Sequence, residues 1–409
     1  MKENKDIKIR SVSLKSFKGF DDVTIDCMKS ETKIYQWTVL LGNNNTGKTR
    51  ILQAIAQMST LINGYITHPI SDNNKVVYVQ PSWRNLPNTS QVVCNITDLE
   101  NTWMFFNNKP TILDRKIELK KLELFGYGVS RYPTTFQSLS ERISGNFDTL
   151  LYHDTKLTNI EEWLMQLDYA AKSNSQTAET YFKKVKAIIC SGIFPEIEDI
   201  DCKKNNEGHN YMPYVLFKTK DGWFRYNELG FGYQSMLSWV VDLCKRMFET
   251  FPNSKNPLLE SAVVLVDEID LHLHPKWQRE IISYVSDIFK NVQFIVTTHS
   301  PLIIQSMQEV NLYVLRREDE KIVVEHSSET NFSGWTVEEI LRDTMKLDND
   351  IQSDFLQNTY RLFDEGLDNN DVAKAREAYN TLIKILHPNN PARRLLKLQL
   401  SQMEIDDKD

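Results

Sequence analysis

An α/β fold built on a mainly parallel sheet is predicted by three features of this 409-residue chain. Residues 261–267 and 292–297 are continuous apolar runs with a helical pattern, 276–291, between them. Strands that are apolar on both faces belong in a parallel sheet covered by helices. Residues 35–41 form another such run, followed by a Gly- and Asn-rich loop and a helical pattern over 50–61. Shorter runs at 75–79, 92–96 and 102–106 have the pattern of an antiparallel layer.

The elements follow in order. Residues 8–20 alternate as a strand through Ile9, Val12, Leu14 and Phe17, and Val23-Thr24-Ile25-Asp26 forms a second strand after a turn at Gly19. The pair leads into the run at 35–41. After the antiparallel cluster, 120–131 reads as a buried strand ending in a turn flanked by glycines. Residues 136–191 are mainly helical, with amphipathic patterns at 160–167 and 179–190. Short strands at 214–217 and 223–226 precede a helix over 233–250. From Thr336 the pattern is three or four helices, the first opening on a capping box of Thr336 and Glu339. The last opens at Pro391, and its Arg393, Arg394 and Lys397 interleave with leucines. That face suits a protein or nucleic-acid partner, or is simply a solvated amphipathic surface. Four segments result: 1–135, an N-terminal lobe; 136–228, a helical insertion with short strands; 229–330, a second lobe; and 331–409, a helical partner-binding region.

The chemistry lies in four motifs. Gly42-Asn43-Asn44-Asn45-Thr46-Gly47-Lys48-Thr49 is G-x-x-x-x-G-K-T, with Arg50 beginning the helix behind it. Between a strand and a helix, this is a phosphate-binding loop. Its backbone N–H groups and the helix N-terminus face the phosphates of a nucleotide. Lys48 supplies charge to the β- and γ-phosphates, and the Thr49 hydroxyl ligates Mg²⁺, so ATP and Mg²⁺ are the expected cofactors. Asn45 stands where many such loops carry glycine, and asparagine tolerates left-handed backbone. In Val263-Val264-Leu265-Val266-Asp267-Glu268 an apolar strand ends in two carboxylates, Asp267 for Mg²⁺ and Glu268 for the attacking water. In Phe294-Ile295-Val296-Thr297-Thr298-His299-Ser300, His299 sits at the ligand edge of the sheet, as a donor to the γ-phosphate. In Leu229-Gly230-Phe231-Gly232-Tyr233-Gln234-Ser235, glycines ahead of a long helix allow close approach of backbone to phosphate. His272 and His274 lie near Asp267, but the sequence offers no third zinc ligand beside them.

In this order the motifs resemble those of ABC-type ATPases of the SMC/RecF/OLD group, over about residues 7–315. Residues 42–49 resemble Walker A, 263–268 Walker B, 270–275 the D-loop of OLD-like ATPases, His299 the switch histidine and 229–235 a degenerate signature loop. The resemblance implies an ABC-type P-loop ATPase head, with a mixed sheet, an antiparallel β-subdomain, a helical insertion and C-terminal helices. It implies a homo-oligomer, a dimer or multiples of dimers, with nucleotide sandwiched between subunits. Gly230, Phe231, Gly232, Tyr233, Gln234 and Ser235 would then act in trans, with Glu268, His299 and Lys48 catalytic. Gly230 occupies the position of the signature serine, which implies slow hydrolysis unless Ser235 supplies the missing hydroxyl. Lys18 resembles the basic residue that reaches the nucleotide from the first strand. Arg131 falls where a glutamine loop is expected, as a phosphate or signature-loop contact.

More narrowly, residues 125–131, 232–239 and 267–278 together resemble the ATPase subunits of Septu and retron-linked anti-phage systems. This implies an ATPase that regulates a separate partner nuclease of HNH type. The chain has no sustained heptad pattern and no CxxC hook, so DNA tethering by long arms is not expected, and it has no Toprim or H-N-H pattern, so no intrinsic nuclease is expected. The alternative is a RecF-like repair ATPase that binds DNA. DNA contact is either direct or through the partner. A net charge of −7 argues against a wholly basic nucleic-acid binder. The five scattered cysteines imply reduced thiols. With no apolar signal region and no membrane-length apolar run, a cytoplasmic location away from membranes is expected.

Overall fold

The apolar residues of the first strand are spaced three, two and three apart, and the backbone shows why. In the computed structural model, β1 (Ile9–Phe17) buries Ile9, Val12, Leu14 and Phe17. Its register against a later strand slips between Ile9 and Ser11, and Ser16 is left-handed at φ +47°. A bulge and a left-handed residue each break the two-residue period and return the next apolar side chain to the core. The structure describes residues 7–62, 91–96, 102–106, 109–112, 122–131, 133, 146–152, 154–190, 194, 196–203, 214–319, 321–347 and 353–406. They form two units, Met1–Val337 and Glu338–Asp409.

In the first unit, β1 and β2 (Phe20–Asp26) form a hairpin, and a smaller one, β3 (Met28–Ser30) with β4 (Lys33–Ile34), leads to β5 (Trp37–Gly42) and α1 (Lys48–Ile62). Next come β6 (Gln91–Ile96), β7 (Thr102–Phe106) and β8 (Lys109–Ile112), which complete an antiparallel sheet of order β2-β1-β6-β7-β8. The antiparallel layer therefore includes the N-terminal hairpin. The strand expected at 75–79 lies outside the described residues. Next are β9 (Leu124–Tyr127), α2 (Asp148–Leu151), α3 (Ile160–Lys172), α4 (Gln176–Ile188), β10 (Asp199–Lys203), β11 (Tyr214–Thr219) and β12 (Gly222–Arg225). The last three make an antiparallel meander. The chain continues through α5 (Phe231–Thr250), β13 (Val263–Val266), α6 (Pro275–Gln278), α7 (Ile281–Ile288), β14 (Gln293–Thr298), α8 (Pro301–Gln305), β15 (Asn311–Glu318) and β16 (Lys321–His326).

A second sheet has the order β16-β15-β5-β14-β13-β9. β15, β5, β14, β13 and β9 are mutually parallel, and β16 is an antiparallel edge. The fold is thus α/β with a mixed sheet and a separate antiparallel one. One core joins them: Val12, Leu14 and Phe17 of the antiparallel sheet share a cluster with Ile51, Leu52 and Ile55 of α1 and Val263, Leu265 and Ile295 of the parallel strands. Most of α5 is buried, which is why its pattern is apolar nearly all round.

The second unit contains the rest of α9 (Val337–Glu339), a π-helical turn at Ile340–Thr344, and α10 (Asp354–Asp368), α11 (Val372–Ile385) and α12 (Ala392–Asp406). Ser353 and Asp371 cap α10 and α11 by accepting from backbone N–H groups. Phe363, Ala375, Leu382, Leu396 and Leu400 form this unit's own core. All five cysteines are free thiols, and burial pushes Cys27 and Cys94 up to about 12. Among the described residues no helix is long and apolar enough to cross a membrane.

Candidate nucleotide-binding site

Parallel pairing places the ends of three strands side by side. Leu41 of β5 is in register with Thr298 of β14, and Val266 of β13 with Val296. The loops that follow these strands therefore meet at the carboxyl edge of the sheet, where open α/β sheets bind ligands.

The loop of residues 42–49 connects β5 to α1. A Cβ on Gly42 would lie 2.3 Å from the backbone oxygen of Leu315, so the loop leaves the sheet through a gap only glycine fits. Asn45 is left-handed at φ +64° and Gly47 at φ +87°. The Thr46 hydroxyl donates to the Asn43 carbonyl at 2.8 Å. Gly42→Ala is expected to raise the Kd for ATP at least about tenfold and to lower stability by about 1–3 kcal/mol, because the added methyl meets backbone that cannot swing away. Isothermal titration and thermal unfolding check both effects.

Lys48 is mostly buried. Its Nζ donates to the carbonyls of Gly42 (2.7 Å) and Asn43 (2.9 Å) and lies 3.1 Å from His299 Nε2. Burial lowers the ammonium to about 8, against the pull of Asp267, Glu268 and Asp270. An ammonium has no lone pair, so Nε2 of His299 is the acceptor. Burial, then the Lys48 charge, hold the imidazole below its ordinary value and favour the neutral ring.

Asp267 is clamped by two hydroxyls: Thr49 Oγ1 donates to Oδ2 at 2.8 Å, and Thr297 Oγ1 to Oδ1 at 2.6 Å. A hydroxyl and a carboxylate oxygen this close are hard donors of the kind Mg²⁺ takes, so the residues present fit that ion. Glu268 adopts a left-handed backbone, φ +48°, a conformation that costs about 1–3 kcal/mol for a non-glycine residue. Its N–H donates to Thr297 Oγ1 at 2.7 Å, and its carbonyl accepts from Arg131 Nη2 at 2.5 Å and from the Leu271 N–H at 2.9 Å. Burial and the charges of Asp267 and Asp270 raise its carboxyl above the ordinary value, which suits a proton acceptor.

Other expected residues have different surroundings. Arg131 is 3% exposed and donates to the carbonyls of Gly128 and Asp267 as well as Glu268. Its guanidinium is thus engaged behind the carboxylates. Arg50 Nη1 donates to the Lys18 carbonyl at 2.7 Å, fastening the β1–β2 turn to the first turn of α1. Lys18 is itself left-handed, and burial and Arg50 lower its ammonium.

Gly230 is the N-cap of α5, so Phe231, Gly232, Tyr233, Gln234 and Ser235 belong to the helix and not to a loop before it. A Cβ on Gly232 would lie 2.8 Å from the His272 carbonyl, and the Tyr233 ring stands edge-on to Trp277 at 4.1 Å. The glycine therefore permits close packing against residues 272–277. The Tyr233 hydroxyl also donates to Glu196, and the Gln234 amide to the Leu229 carbonyl at 2.6 Å. His274 caps α6 through Nδ1.

Sequence reasoning did not single out Thr297, which bridges Asp267 and Glu268, or Asp270, whose Oδ1 accepts from Thr298 Oγ1 at 2.5 Å. The Thr-Thr pair before His299 was the available signal, but only the sheet register shows what it faces.

A family model described as an AAA ATPase domain matches residues 7–94 and 133–304. Septu protein PtuA of Bacillus thuringiensis is 36% identical over 193 residues, covering 46% of this chain and 48% of that protein. Retron Ec83 probable ATPase of Escherichia coli is 34% identical over 176 residues, covering 43% of this chain and 32% of that protein. The chain thus spans about half the length, or less, of these curated relatives. Among solved structures, the SMC head domain from Thermotoga maritima aligns with 79% of this chain and 100% of its own, at 12% identity and a TM-score of 0.38.

Proposed function

The chain belongs to the AAA ATPase domain family, and from that premise we propose that it binds ATP with Mg²⁺ at residues 42–49 and hydrolyses it within a homodimer. One observation carries the proposal: the hydrogen bond from Thr49 to Asp267 and the contact between Lys48 and His299 draw three motifs, from β5, β13 and β14, into one site. Thr49 and Asp267 would hold Mg²⁺, which when bound offsets phosphate charge. Lys48 exchanges the loop carbonyls for phosphate oxygens. Glu268, held by Thr297 and Arg131, orients a water and takes its proton. His299 reports on the γ-phosphate by carrying its proton on Nε2, the nitrogen that accepts from Lys48 when no phosphate is there.

The signature residues 230–235 act in trans in this reading. Phe231, 72% exposed at the start of α5, leaves that end open to a second subunit. Gly230 offers no hydroxyl, so turnover is slow. The relatives named Septu PtuA and retron ATPase support a role as the ATPase subunit of an anti-phage complex. There the chain regulates a separate HNH-type nuclease and has no nuclease activity of its own. It works in the cytoplasm and meets DNA directly or through that partner.

The test is to purify the protein with its operon neighbours in ATP and Mg²⁺, measure phosphate release, and identify what co-elutes. ATP turnover with a stoichiometric nuclease is the expected result. A protein that neither binds nor hydrolyses ATP would end the proposal, and a partnerless dimer retaining DNA would replace the defence role with a RecF-like one.

A further inference from the structure

Arg131 makes an unusual set of contacts for a buried cation. Its Nε donates to the Gly128 carbonyl at 2.9 Å, and its Nη2 donates to two consecutive carbonyls, those of Asp267 and Glu268. With Glu268 at φ +48°, those carbonyls face one nitrogen. No side chain of ordinary length other than arginine reaches from one loop to another with donors spread across a planar fork. The Glu268 N–H is held from the opposite side by Thr297 Oγ1 at 2.7 Å. The peptide units flanking Glu268 are therefore gripped from both directions. The grip holds a backbone conformation that a glutamate would otherwise leave.

The same residue borders a second region. Gln234, Ser235 and His272 line a small cavity with Arg131, so the residue that holds the end of β13 also borders the first turn of α5. Gly232 in that turn packs on the His272 carbonyl.

We infer that Arg131 is a positioning residue for hydrolysis, acting through the backbone of Glu268 to aim its carboxylate without touching nucleotide. This rests on the ATPase reading above. It separates binding from turnover, since Lys48 and the loop of residues 42–49 hold phosphate independently of Arg131. Arg131→Lys keeps the charge but loses the fork, whereas Arg131→Gln keeps a single donor nitrogen and leaves no buried charge.

The experiment compares wild type, Arg131→Lys and Arg131→Gln, each shown folded by circular dichroism and thermal unfolding. Binding of a fluorescent ATP analogue with Mg²⁺ and steady-state phosphate release are measured for all three. In a folded variant, kcat should fall about 100-fold, the cost of misplacing a reacting group by roughly 1 Å, while nucleotide Kd stays within about threefold. A folded variant with kcat within about twofold of wild type overturns the inference, as does a loss confined to Kd. Failure of both variants to fold assigns the residue to stability and overturns it too. Absence of turnover in wild type removes instead the ATPase reading beneath it.

Discussion

Glu268→Gln is expected to abolish ATP turnover while leaving nucleotide bound and the dimer trapped. The amide is nearly isosteric, and the bonds that place the residue are made by its backbone N–H and carbonyl, which the substitution leaves intact. What disappears is the oxygen able to take a proton from water. Loss of a general base costs about 10²–10⁴-fold in rate. Binding should be unchanged or tighter, because one of three neighbouring negative charges, Asp267, Glu268 and Asp270, is removed from a site that receives phosphates. Phosphate release together with light scattering in ATP and Mg²⁺ reads both effects. Turnover at the wild-type rate would remove Glu268 from the chemistry, and unchanged mass in ATP would remove the sandwich.

Arg246→Met is expected to destabilise the first unit by about 3–5 kcal/mol without any contact to the nucleotide site. Asp242 and Arg246 lie one turn apart on α5, with side chains 0% and 9% exposed. Asp242 Oδ2 accepts from Arg246 Nε at 2.5 Å and from the Tyr127 hydroxyl at 3.0 Å. Asp242 Oδ1 has no partner among the described residues. Removing the guanidinium strands a buried carboxylate that is already under-bonded, and that, not the lost attraction, sets the size of the effect. Replacing the pair together, Asp242→Leu with Arg246→Met, should recover much of the loss, since the desolvation of both charges goes with them. Urea unfolding of the two variants tests this. Equal stability of Arg246→Met and wild type would mean that water reaches Asp242.

Tyr127 connects this pair to the site. Its ring is buried beside Trp239 of α5, and its carbonyl accepts from the Asp267 N–H at 2.8 Å. In the sequence Tyr127 belongs to a buried strand and to the 125–131 stretch, and Asp242 is a polar residue in an apolar helix. Neither local pattern says that the two meet across 115 positions. β15 and β16 are further elements that the structure adds, and the apolar run Leu312-Tyr313-Val314-Leu315 is their signal in the sequence. Gly230 and Gly232 suggest a loop ahead of a helix, with backbone free to approach phosphate. The helix instead starts at Phe231, and Gly232 inside its first turn permits close packing against the His272 carbonyl.

By itself the sequence determined the phosphate loop, the two strand-end carboxylates, the strand-end histidine and the α/β class. Each of these is written in a short window: a glycine where backbone must approach a ligand, a carboxylate directly after an apolar run, a period of two or of 3.6. Only the tertiary structure decided that the N-terminal hairpin shares a sheet with β6–β8, that Thr297 spans Asp267 and Glu268, and that Arg131 turns inward to their carbonyls. Those contacts join residues 29 to 137 positions apart. Their partners are backbone carbonyls and hydroxyls that nearly every residue or any threonine could supply, so they leave no mark in a local pattern. They are set by which strands pair and in what register, a property of the folded chain as a whole.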